Sequence, residues 1–207
     1  MKNNNSQDTE SKILKAAEEE FMRKGFAGSR TTSIAESAGV THAMLHYYFR
    51  TKEKIFDRIL SKKIMMIREI IGYSIEDDSL SLSDMIRSVI DRHLTFLSEN
   101  ADLPRFLIGE VLSNPDRAAI LKEKIGAAAS PLIARLQDKI DSESDLGKCR
   151  KIDARSLLID ILSLNVFPYM AEPLMNAALD KIMQDKERFL EVRKKENYDT
   201  IMRKLKL

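Results

Sequence analysis

Residues 38–49 read AGVTHAMLHYYF. Gly39 is suited to a left-handed turn, and Thr41 is a favoured N-cap for a helix running from His42 to Phe49. Just upstream, roughly residues 31–38 form a short amphipathic segment with Ile34, Ala35 and Ala38 facing inward. Ser29, Thr31 and Thr32 are its candidate caps. Two short helices joined by a three-residue glycine turn are the helix-turn-helix pattern.

The second of these helices divides into two faces. At 100° per residue Leu45 and Phe49 fall together with Tyr48 at their edge, while Ala43, His46 and Tyr47 point away. A helix that packs on one side and presents small or polar groups on the other suits a major groove. Ala43 permits close approach, and His42, His46 and Tyr47 offer donors to bases or phosphates. A rival reading makes His42 and His46, four apart, the first two ligands of a zinc site. Catalytic zinc needs a third ligand and commonly a neighbouring Glu, yet position 43 is Ala and the remaining histidine, His93, is distant in sequence. No metal and no cofactor are expected.

Working outward, Ile13, Ala17 and Phe21 repeat at helical spacing from Asp8 onward, and Gly25 is placed to end that helix. Thr51 caps a longer helix from Lys52 towards Tyr73. Further helices are expected over 81–98, 104–113, 116–141, 150–170 and 173–204, with Pro131 inside the 116–141 stripe and expected to kink it. No convincing strand alternation occurs, and the expected fold class is all-α. The 207 residues suffice for one large or two small domains, and the scarcity of Gly (7) and Pro (5) favours helices.

Charge is unevenly spread, at +4 over residues 1–63, −6 over 64–192 and +4 over 193–207. A basic N-terminal module on an acidic body suits a polyanionic partner. Cys149 is the single cysteine, which excludes a disulfide framework within the chain. Its neighbours Lys148, Arg150 and Lys151 are cations of the kind that lower a thiol pKa, while a single cysteine with no resolving partner in the chain argues against a redox role. The opening MKNNNSQDTES lacks an apolar core, and no apolar run is long enough to span a membrane, so a cytoplasmic location is expected.

Residues 9–60 resemble the N-terminal domain of the tetracycline-repressor (TetR) family of bacterial transcription regulators. The matching residues are Ile13, Ala17, Phe21, Gly25-Phe26, Ile34-Ala35, Ala38-Gly39-Val40-Thr41, Leu45, Tyr48-Phe49, Lys52-Glu53 and Ile55. The resemblance implies a DNA-binding domain over residues 1–52, with 1–8 disordered or frayed, and an effector-binding and dimerisation domain over 53–207. It implies Thr41, His42, Ala43 and Tyr47 as groove-facing residues, and Tyr48 and Lys52 as phosphate contacts. Arg30, Thr31, Thr32 and His46 join this candidate DNA-binding set. Three positions depart from the family pattern: Ala43 where Gly is frequent, His46 where Tyr is usual, and Arg30 where a hydroxyl residue is common.

For the body, the resemblance implies a ligand cavity in the middle helices and a homodimer through the last two. The apolar lining points to an apolar or amphipathic effector. His93, Phe96, Phe106, Ala129 and Leu132 are candidate pocket residues, and Leu158, Ile161, Leu162, Met175, Leu179 and Ile182 candidate dimer contacts. Asp160 and Asn165 interrupt an apolar run and need partners if buried, Asp160 by pairing across an interface. The expected function is a ligand-responsive DNA-binding regulator, a repressor acting on an operator. The rivals are a constitutive DNA-binding or protein-interaction module without a ligand, and a helical metal-dependent enzyme.

Overall fold

The computed structural model describes residues 2–206, with side chains from Gln7 onward. Helix α1 is Lys2–Gly28, α2 Thr31–Ser37, α3 His42–Phe49, α4 Lys52–Ile75 and α5 Leu82–Glu99. Then come α6 Leu103–Ser113, α7 Pro115–Asp145, α8 Ala154–Met170, α9 Glu172–Ala178 and α10 Lys186–Leu205. No strand occurs among the described residues, so the chain is all-α. Residue 1 of the N-terminal segment expected to fray lies outside the described residues, and 2–8 are already within α1.

The chain forms two compact units, Met1–Met65 with Phe106–Leu121, and Met66–Arg105 with Lys122–Leu207. In the first unit, Ile13, Ala17 and Phe21 of α1 are buried together with Ile34 and Ala35 of α2, Leu45 and Phe49 of α3, and Ile55, Phe56 and Ile59 of α4. Those are the apolar positions that helical spacing assigns to one face of each helix. Gly25 interrupts α1 with φ 68 and ψ 174, a conformation costly for any residue with a Cβ, so regular helix stops there as expected. Beyond it Phe26 turns back onto the core, with ring centroids 5.9 Å from Phe21 and 5.0 Å from Phe56.

The α2–α3 turn is a complete C-terminal capping motif. Gly39 takes φ 67 and donates its N–H to Glu36 O, while Val40 N–H reaches Ala35 O at 3.0 Å. Thr41 Oγ1 then accepts from Met44 N–H at 3.2 Å and starts α3, as its type predicts. None of Ser29, Thr31 and Thr32 caps α2. Arg30 holds that position without a side-chain bond, because the buried Ser29 hydroxyl is spent on Glu20 O and Gly25 O. Replacing Thr41 by Ala should lower stability by about 1 kcal/mol, readable in urea unfolding, and an unchanged midpoint would remove the cap from the account.

In the second unit α5, α8 and α10 pack round a common core. Ile86, Val89, Ile90 and Leu94 of α5 meet Leu157 and Ile161 of α8, Ile201 and Leu205 of α10, and Leu136 and Ile140 of α7. The single helix expected over 173–204 is two. Asp180 (φ 49) and Lys181 (φ 59) are left-handed in succession, and Asp185 accepts from Arg188 N–H at 3.0 Å to start α10 afresh. α8 begins at Ala154 rather than 150, since Asp153 takes the N–H groups of Arg155 and Ser156. Pro131 lies within α7 without ending it.

Two further expectations are corrected here. Cys149 is buried and its Sγ faces Ile140 O, and burial together with the Glu143 carboxylate raises its thiol pKa, the reverse of an activated cysteine. Asp160 pairs with Lys204 of its own chain, so it is not held in reserve for an interface.

Candidate nucleic-acid interface

On α3 the two faces separate cleanly. Leu45 is 0% exposed and Phe49 7%, whereas Tyr47 is 82% exposed, and Thr41, His42, Ala43, Met44 and His46 are exposed as well. Arg30 and Thr32 are exposed at the start of α2, with Thr31 half-buried beside them. The helix is thus fastened by the residues of one side and offers the other to whatever approaches.

Several of these candidate contacts are already engaged within the chain. Thr31 Oγ1 lies 3.0 Å from His42 Nε2, which ties α2 to the first turn of α3. The His42 and His46 rings meet edge to face, centroids 4.4 Å apart, and His46 Nδ1 lies 2.8 Å from Arg50 O. Each imidazole therefore spends one nitrogen on a protein oxygen. Among the described residues, no group of three or more His, Cys, Asp or Glu side chains is arranged to hold a metal ion.

Lys52 is engaged within the chain as well. Its Nζ donates to Phe26 O at 2.8 Å and Ser29 O at 3.0 Å, and sits 4.3 Å from the Phe26 ring centroid. The ammonium thus satisfies carbonyls at the end of α1, leaving one N–H for an outside acceptor. Phe26 is held as well by a segment remote in sequence. Phe26 N–H donates to Glu110 Oε1 at 2.9 Å, and Glu110 Oε2 accepts from Arg117 Nε at 2.8 Å. The Arg117 guanidinium also lies 4.5 Å from the Phe26 ring centroid. Nothing local in the sequence marks Glu110 for this role, because its partner is 84 residues away.

Residues 13–59 match the sequence model for bacterial regulatory proteins of the tetR family. Over that segment the chain is similar to the TetR family. It is 28% identical over 127 residues to the uncharacterized HTH-type transcriptional regulator YdgC of Bacillus subtilis, covering 58% of this chain and 65% of that one. It is 30% identical over 102 residues to the HTH-type transcriptional repressor SCO4008 of Streptomyces coelicolor, covering 49% of each. The chain thus spans less than two thirds of the length of these curated relatives. Similar folds include the regulator FadR from Bacillus subtilis in complex with stearoyl-CoA, with TM-score 0.67 at 20% identity over 92% of this chain and 96% of that one. A TetR transcription regulator from Haloarcula marismortui matches with TM-score 0.68 at 20% identity, over 97% of this chain and all of the other.

The residues that the TetR resemblance marks for a pocket are dispersed. Phe106 belongs to the first unit, where its ring lies 5.8 Å from Phe56. His93 and Leu132 are in the core of the second unit, and Ala129 is half-buried. Phe96 lines a cavity of about 320 Å³ with Ile70, Asp91, Arg92, Thr95, Glu99 and Lys194. His93 is a satisfied core histidine: Asn165 Nδ2 donates to its Nδ1 at 3.3 Å, and Asn197 Nδ2 donates to Asn165 Oδ1 at 2.8 Å. Burial pushes its imidazole pKa down to about 4.

Of the candidate dimer contacts, Ile161 is 2% exposed and belongs to the core, which corrects its assignment to a surface. Leu158 and Met175 are half-buried against that core. Leu162, Leu179 and Ile182 are exposed, and so are Ile159, Phe167 and Val192, which the sequence reading left out. A groove of about 980 Å³ runs among Leu164, Phe167, Leu179, Ile182 and Val192.

Proposed function

We propose that this protein is a homodimeric, sequence-specific DNA-binding transcription regulator that acts as a repressor. The observation that carries the reading is the division of α3, with Leu45 and Phe49 sealed in the core and Thr41, His42, Ala43 and Tyr47 exposed on the opposite side. DNA reading is assigned to residues 1–52. Effector binding and dimerisation are assigned to 53–207, which supply the groove beside Phe167, Leu179 and Ile182 as a self-complementary apolar surface. Tyr48, Arg30, Thr31, Thr32 and the remaining N–H of Lys52 complete the DNA contacts.

An apolar or amphipathic small molecule releases the protein from its operator. The stearoyl-CoA held by FadR, whose fold this chain shares, supports that class of effector. So does the cavity beside Ile70 and Phe96, which has Arg92 and Lys194 among its lining residues. Two α3 helices reading successive major grooves must lie about 34–36 Å apart, and an effector acts by favouring a dimer geometry that misses this spacing. Operator and effector then oppose one another with a reciprocal coupling of about 1–3 kcal/mol.

The test is binding to the DNA upstream of the protein's own gene, by fluorescence anisotropy across a salt series. Affinity should fall steeply with salt, and Lys52→Ala should weaken binding by about tenfold, Tyr48→Phe by less. Lys52→Ala also removes two internal bonds, so its melting curve is measured alongside. Binding no tighter than to random DNA, both there and in a genome-wide selection, would sink the regulator reading.

A further inference from the structure

The turn between α3 and α4 holds a residue in a conformation that L-amino acids rarely adopt. Arg50 has φ 57 and ψ −46, and across it Thr51 N–H donates to Phe49 O at 2.5 Å. This is a γ-turn of the rare, strained hand, and the residue at its centre is not glycine. Both backbone groups of Arg50 are held by one residue: its N–H donates to His46 O at 2.9 Å, and its carbonyl lies 2.8 Å from His46 Nδ1. A carbonyl oxygen only accepts, so Nδ1 carries the proton, and the neutral ring is the Nδ1–H tautomer with its Nε2 lone pair turned away. The ring is also fixed from its other side, edge to face with His42, which Thr31 holds in turn.

We propose that His46 is a positioning residue whose imidazole clamps this strained turn and so sets the angle at which the reading helix leaves α4. It acts through Arg50, not by touching a base. The clamp also allows the turn to carry a cation: glycine would adopt φ 57 without help, but Arg50 keeps a guanidinium at the end of α3. The register of His42, Ala43 and Tyr47 against Tyr48 and Lys52 follows from that angle. The inference rests on the DNA-binding reading for its functional consequence but not for the clamp itself.

Two measurements on the full chain separate these layers. Imidazole ¹H–¹⁵N correlation spectra of the DNA-free protein should find neutral His46 protonated at Nδ1, the minor tautomer of a free imidazole. A neutral ring protonated at Nε2 overturns the clamp whatever the protein does with DNA. For operator binding, His46→Phe should lose about tenfold in affinity, because the strain that the clamp offsets then opposes the bound geometry. His46→Asn, whose amide N–H occupies the position of Nδ1 and still reaches the Arg50 carbonyl, should stay within about threefold of wild type. Arg50→Gly in the His46→Phe background should regain most of the loss, and melting curves of the same set should follow the same order. If His46→Asn is as weak as His46→Phe and Arg50→Gly rescues nothing, His46 is a direct contact and the proposal fails. If wild type binds no operator, the regulator reading falls alone, and the tautomer and the melting order still decide the clamp.

Discussion

On lowering the pH from neutral to 4, the wild-type protein is expected to lose about 3 kcal/mol more stability than a His93→Phe variant. His93 is 3% exposed, and burial holds its pKa at about 4 against an ordinary value of 6.5. The direction follows from proton counting. Above pH 6.5 the ring is neutral in both the folded and the unfolded chain, and the group adds no pH dependence. Between 6.5 and 4 the unfolded chain takes up a proton that the folded one refuses, so stability falls as the pH falls. Below 4 both states are charged and the slope vanishes. The hydrogen bonds reinforce the sign, because Asn165 presents an N–H donor to Nδ1, the atom that would have to accept the proton. Urea unfolding at pH 7, 5.5 and 4.5 reads the effect, and taking the difference between variant and wild type cancels the carboxylates common to both. Identical slopes for the two proteins would mean that His93 is protonated inside the fold.

Glu110→Ala should cost about 3 kcal/mol, because it strands two donors at once. Glu110 is 7% exposed and answers both the Phe26 N–H and the Arg117 guanidinium. Its removal leaves a cation facing an aromatic ring with no counter-ion, and an amide with no acceptor. Glu110→Gln keeps an oxygen for Phe26 and loses the charge, so it should fall between alanine and wild type. Arg117→Ala combined with Glu110→Ala should cost less than the sum of the two, since each single change already breaks the pair. A Glu110→Ala protein within experimental error of wild type in urea would show that solvent replaces both bonds. Lys52 lies against the same ring, so the loss should also weaken DNA binding wherever Lys52 contributes to it.

What was legible in the sequence had local causes. Gly39, Thr41 and the Leu45/Phe49 pair announce a turn, a cap and a buried face within twelve residues, and the structure has all three. Gly25 ends the regular part of α1 for a reason contained in one residue. What was not legible lay where a partner is remote or where a residue type has two uses. A lysine at the start of a helix reads as a phosphate ligand, and nothing local shows that Lys52 also holds carbonyls 26 and 23 positions away. Cys149 among cations reads as reactive until the core closes over it. Ile161 and Leu162 are adjacent and equally apolar, and only the packed core assigns one inward and the other outward. The break at 180–181 rests on two successive left-handed residues, and although Asp180 is a type that tolerates that region, Lys181 is not, so the pair was not announced.

The first unit is made of two stretches of chain, 1–65 and 106–121, and this bears on the order in which the protein is made. A nascent chain emerges from its N-terminus and folds domain by domain as it appears. When residue 65 has left the ribosome, α1 to α3 and the start of α4 are present, but the acceptor for Phe26 N–H has not been synthesised. Glu110 follows 45 residues later and Arg117 seven after that. The first unit is therefore born without two of its ties and waits for the middle of the chain to supply them. For the same reason a chain cut after residue 65 lacks both ties.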